Sequence, residues 1–101
     1  MRTTAMVRLN DLLSKRNEIK TIAGRHGARA LAVFGSVARG EVTDTSDIDF
    51  VVDLDPDRSL LDRIALKHEL EDFLGRSVDV LNRKSLDPLV RDQILRNRVD
   101  L

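Results

Sequence analysis

A chain of 101 residues can bury one modest core, so residues 1–101 are expected to form a single domain. Its 42% hydrophobic and 34% charged residues exclude a disordered chain, and Lys+Arg and Asp+Glu at 17 each leave no cationic excess for strong direct binding to nucleic acid. The lack of cysteine rules out disulfides and thiolate metal sites, and no apolar run approaches the roughly twenty residues that span a bilayer.

The first residues alternate apolar with charged side chains and lack the apolar stretch of a signal peptide, so a cytoplasmic location is the simplest reading. Residues 4–25 carry a helical pattern with Leu9, Leu12, Leu13, Ile19 and Ala23 near one side, stopped by Gly24 and Gly27. Residues 30–34 are a continuous apolar run ending at Gly35, as in a buried strand. Residues 35–45 are rich in glycine and polar side chains, with Ser36 placed to cap a short helix over 37–40. Residues 47–54 alternate. Ile48, Phe50, Val52 and Leu54 point one way, while Asp47, Asp49, Val51 and Asp53 point the other.

Asp55, Pro56 and Asp57 form a turn, so the run Asp53, Asp55, Asp57 reads as solvated acids; it lacks the glycine and glutamate of a calcium loop. A helix follows over 59–74, with a stripe of Leu66, Leu70, Phe73 and Leu74 and a stop at Gly75. Residues 77–81 are a third strand, in which Asp79 interrupts apolar neighbours. The last helix opens near Pro88 with Ser85 or Asp87 as cap, and Leu86, Val90 and Ile94 are expected to form its buried side. The order α-β-α-β-α-β-α predicts an α/β domain of the α+β type, a small three-stranded sheet flanked by helices.

Three features carry chemistry. Gly35 and Ser36 stand where a strand runs into a helix, and backbone N–H groups with a hydroxyl at such a junction can cradle phosphate. Asp47 and Asp49, two apart on a strand, put both carboxylates on one face, the hard oxygen donors that magnesium takes beside substrate phosphates. Asp79, within an apolar strand, is costly unless it meets a cation or hydrogen-bond donor, and beside the second strand it would complete a three-carboxylate site. Taken singly each has a plainer reading: a turn, a solvated edge, and an edge charge that discourages aggregation. Their order along the chain favours the joint one. His26 and His68 have no partner at metal-ligand spacing and read as surface or packing residues. Arg83 and Lys84, just past the third strand, are placed where they could help hold nucleotide, but read first as cations of a solvated loop.

The run from Phe34 through Gly35, Ser36 and Arg39 to Gly40, with Ser46, Asp47, Ile48 and Asp49 after it, resembles the signature of the DNA polymerase β nucleotidyltransferase superfamily, above all its minimal nucleotidyltransferase branch. The likeness continues through Val78-Asp79-Val80 to the Ile94-Leu95-Arg96 ending. It implies that fold, with Gly35, Ser36, Arg39 and Ser46 binding nucleotide, although Arg39 also reads as a surface arginine. It implies two Mg²⁺ ions on Asp47, Asp49 and Asp79, with these aspartates catalytic and ATP as substrate. In this branch the acceptor comes with a partner chain, a HEPN-domain toxin whose tyrosine receives AMP, the transferase acting as antitoxin. Two alternatives remain beside it. One is an antitoxin that binds nucleotide without catalysis and inhibits its partner by contact. The other is a catalytic subunit acting on a small-molecule or RNA acceptor.

Overall fold

The computed structural model describes residues 9–40 and 47–101. Two helices, α1 (Leu9–Ser14) and α2 (Arg16–Arg25), lead into strand β1 (Ala28–Phe34) and the single turn α3 (Gly35–Ala38). Then come β2 (Ile48–Leu54), α4 (Leu60–Leu74), β3 (Val78–Asn82), a 3₁₀ turn (Arg83–Ser85), α5 (Pro88–Arg96) and β4 (Val99–Asp100). The sheet has the order β3-β2-β1-β4. β1 pairs antiparallel with β2 and β4, and β2 pairs parallel with β3. A parallel pair needs a crossover, and α4 supplies it.

The alternation on β2 decides the layers. Ile48, Phe50, Val52 and Leu54 are all buried in one cluster with Leu12, Ile19 and Ile22 of the first two helices, Leu66 and Leu70 of α4, and Val78 and Val80 of β3. The opposite face of the sheet carries Asp49, Val51 and Asp53. Helices α1, α2 and α4 therefore cover one side, and the acids stand on the other.

α4 is fixed at both ends by chemistry legible in the sequence. The Ser59 hydroxyl accepts from the Leu61 N–H at 3.2 Å, and Asp62 accepts from the Ser59 N–H at 2.8 Å, a reciprocal cap. Gly75 closes the helix in the left-handed conformation with φ 69°. Ser59→Ala is expected to destabilise the fold by about 1 kcal/mol. A thermal melt should then shift down by about 4 °C or more.

α4 is also tied to its neighbours by carboxylates. Glu71 accepts from Lys67 at 2.8 Å and from the Val78 N–H at 3.0 Å, joining α4 to β3. Glu69 meets His26 at 2.8 Å and Arg25, joining α4 to α2. The Lys67 ammonium foremost, and then the Val78 N–H, hold the Glu71 carboxyl below its usual range. His26 foremost does the same for Glu69. A folded-state value below the unfolded one gives stability that is present above the ordinary carboxylate range and lost as pH falls below it toward the lowered folded-state value. Glu71→Gln should therefore flatten the acid side of a stability-against-pH curve.

Several expectations are corrected. The helix expected over 4–25 is two helices within the described residues, broken at Lys15. There the Ser14 hydroxyl donates to the Asp11 carbonyl at 2.8 Å, a local bond that competes with the helical ladder. Gly24 stays inside α2, and the stop falls at Gly27, where φ is 83°. The short helix begins at Gly35 rather than Val37, with Phe34 at its cap position, so Ser36 lies in its first turn and is not the cap. The sheet has four strands rather than three. β4 has only two residues, too few for any periodicity, and its Val99 and Asp100 pair with Val33 and Ala32.

α5 differs most. Asp87 caps it and Pro88 opens it as expected, yet no residue of it is buried. Val90 is 43% exposed and Leu89 70%, while Leu86 and Ile94 are half-buried, so the expected buried side is not formed. Phe73 likewise leaves the α4 stripe, 39% exposed with the Lys15 ammonium 5.8 Å from its ring centre. Ile22 joins the core without having been singled out.

Candidate active site

The parallel register pairs Asp49 of β2 directly with Asp79 of β3. Directly paired residues point to the same face, so the two carboxylates stand side by side on the face away from α1, α2 and α4. Asp47, immediately before β2, is exposed on that rim. On the other side of β2, the antiparallel register sets Phe34 opposite Asp49, so the chain leaves β1 for α3 beside the acids. The three features picked out from the sequence therefore meet at one end of the sheet.

Gly35 is the tightest point of this arrangement. Its φ is 74°, in the left-handed region, and a β-carbon there would collide with Oδ2 of Asp49. Glycine lets the backbone come against the carboxylate. As the first residues of α3, Gly35, Ser36 and Val37 have amide N–H groups without intrahelical acceptors. Arg39 ends α3, exposed, and its charge acts on Asp49 in the stabilising direction. Ser46 lies outside the described residues.

The electrostatics are those of crowded acids. Burial foremost, then the charges of Asp79 and Asp47, raise the Asp49 carboxyl above its ordinary value, against a smaller lowering by Arg39. Among the described residues no three acids or histidines already stand at metal-ligand distances of one another. The donor set nevertheless fits a hard divalent cation. It consists of carboxylate oxygens on adjacent strands, with like charges that a cation would neutralise, and the Gly35 backbone drawn in against one of them.

The remaining sequence candidates are placed elsewhere. His26 is half-buried against Glu69, as a packing residue, and His68 is exposed on α4. Asp53 and Asp55 are not simply solvated, since Asp55 pairs with Arg29 and Asp53 lies 3.4 Å from the Lys84 ammonium. Lys84 also donates to the Leu54 carbonyl at 3.2 Å, so it is a structural clamp rather than a free loop cation. A second clamp, the Arg58 side chain, lies over Gly27, where a β-carbon would strike it. Gly27→Ala should lower the melting temperature, both from the left-handed φ of 83° and from the displaced arginine.

The chain is similar to several known proteins. A Methanocaldococcus jannaschii protein, provisionally assigned as a protein adenylyltransferase, is 47% identical over 89 residues, covering 84% of this chain and 96% of its own. Protein adenylyltransferase MntA of Thermococcus cleftensis is 40% identical over 80 residues, covering 79% and 81%. The solved structure of a provisionally assigned minimal nucleotidyltransferase superposes with a TM-score of 0.85 at 41% identity, covering 94% of this chain and 97% of that one. The MNT antitoxin bound to tri-AMPylated HEPN toxin from Shewanella oneidensis shares the fold, with a TM-score of 0.68 at 19% identity, covering 87% and 69%. The nucleotidyltransferase domain family model matches residues 15–101. With its acids paired across β2 and β3 beside the glycine turn, the chain belongs to the nucleotidyltransferase domain family and is a nucleotidyltransferase.

Proposed function

We propose that this chain is a Mg²⁺-dependent protein adenylyltransferase of the cytoplasm, the antitoxin of a HEPN-domain toxin, with residues 1–101 as one minimal catalytic domain. The observation that carries this reading is the pairing of Asp49 with Asp79 beside Gly35. Relatives named as protein adenylyltransferases and the fold shared with an antitoxin–toxin complex support the choice of nucleotide and partner.

In this reading the amides of Gly35 and Ser36 hold the β- and γ-phosphates of ATP, with Arg39 and Ser46 adding polar contacts. Asp47, Asp49 and Asp79 would hold two magnesium ions, which would supply charge neutralisation to the transferring phosphoryl group. A tyrosine hydroxyl of the partner approaches Asp79, which takes its proton. The hydroxyl oxygen then bonds to the α-phosphorus, the bond from that phosphorus to the β-phosphate oxygen breaks, and pyrophosphate leaves. Most of the acceleration comes from positioning and from charge placed where charge develops.

The test is intact mass spectrometry of the HEPN partner after incubation with this chain, ATP and Mg²⁺. The partner should gain one or more adenylyl groups, and none when EDTA is present. A toxin neutralised with no mass gain would point instead to inhibition by contact.

A further inference from the structure

β3 is an outer strand of the sheet, paired with β2 alone among the described residues. Backbone groups alternate in direction along a strand. The Ser77 carbonyl accepts from the Ile48 N–H at 3.0 Å, so Ser77 and Asp79 turn their backbone toward β2. Val78, Val80 and Asn82 therefore turn theirs to the open edge. Both valines are buried, and backbone groups left unpaired there would be costly.

Two side chains of α4 meet that edge. The Glu71 carboxylate accepts from the Val78 N–H at 3.0 Å, and the Arg63 guanidinium donates to the Val80 carbonyl at 2.7 Å. Lys67 stands between them on the helix and donates to Glu71 at 2.8 Å. Arg63, Lys67 and Glu71 recur every fourth residue, which puts all three on one flank of α4. Leu66 and Leu70 of the same helix enter the core, so that flank is anchored beside β3.

Of the three residues that face the open edge, the bonded pair is the one that brackets Asp79. That aspartate is exposed, and its charge presses on Asp49 across the strand pair. Repulsion between the two carboxylates favours an outer strand that edges away from β2, and a slip of one residue would send Asp79 to the other face. The two bonds from α4 oppose both movements.

We propose that Arg63 and Glu71 are positioning residues for nucleotidyl transfer, clamping β3 on both sides of Asp79 so that its carboxylate stays level with Asp49. The proposal rests on the reading of Asp79 as an active-site residue, and it adds two residues of α4 that act only through the strand.

The test uses the whole chain with ATP, Mg²⁺ and the HEPN partner, below the melting temperature of each variant. Arg63→Met keeps the stem and removes the donor, and Arg63→Lys returns a donor. Since a misplacement of about 1 Å can cost about 10²-fold, the first should lower kcat by roughly tenfold with the KM for ATP unchanged. The second should recover most of that loss. Glu71→Met, which removes the acceptor, should behave as Arg63→Met does. In an Asp79→Asn background, Arg63→Met should cost almost no further activity, although it lowers the melting temperature as much as it does alone. Hydrogen exchange over residues 78–82, measured without nucleotide, should quicken in Arg63→Met and slow again in Arg63→Lys. A wild-type kcat in either Met variant would overturn the proposal, as would equal fractional losses with and without Asp79. A wild-type chain that transfers nothing to the partner would overturn the adenylyltransferase reading itself, and the proposal with it, a different failure from either of these.

Discussion

Asp49→Asn is expected to lower nucleotidyl transfer by about 10³-fold or more while leaving the fold at least as stable as the wild type. The two halves of that expectation have one cause. Asp49 is pressed by burial and by the charges of Asp79 and Asp47, so its ionised form is a strain on the free protein. The isosteric amide removes the charge, keeps the shape against Gly35, and relieves the repulsion. It also removes a donor that cations need. Metal-assisted charge stabilisation is worth several kcal/mol, and each 1.36 kcal/mol is tenfold in rate. Initial rates with ATP, set beside thermal melts, check both halves. A variant that lost activity through unfolding, with a lowered melting temperature, would contradict the account.

Gly35→Ala carries the second large effect. The left-handed φ of 74° costs a residue with a β-carbon roughly 1–2 kcal/mol, and here the added carbon also strikes the Asp49 carboxylate. Since a misplacement of about 1 Å can cost about 10²-fold, transfer should fall by about that factor even where the domain remains folded. Gly40 supplies the control. Its φ is 77°, but a β-carbon there meets nothing within 4 Å. Gly40→Ala should share the loss of stability and spare the transfer rate. Equal losses of transfer in both variants would show that the contact with Asp49 is not what Gly35 protects.

The sequence made this end of the molecule readable because strand alternation is strict. Once Ile48, Phe50 and Val52 are assigned to the core, Asp49 has only one face left, and the lone acid in β3 only one neighbour to match. The helix ends at Asp87 and Gly75 were equally readable, since these residues act through bonds within two to four residues. What escaped depended on distant or very short partners. β4 exists because Val99 and Asp100 find the free edge of β1, not because two residues carry a pattern. Leu86, Val90 and Ile94 looked like a buried stripe because spacing marks an apolar side without saying how far anything covers it.

The most direct measurement follows two labels on ATP, one on the α-phosphate and one on the γ-phosphate, during incubation with Mg²⁺ and the HEPN partner. The account predicts that the α-label becomes bound to the partner while the γ-label leaves in pyrophosphate, and that Asp49→Asn abolishes both. Transfer of the γ-label to the partner, or capture of neither label by a partner that is nonetheless neutralised, would contradict it.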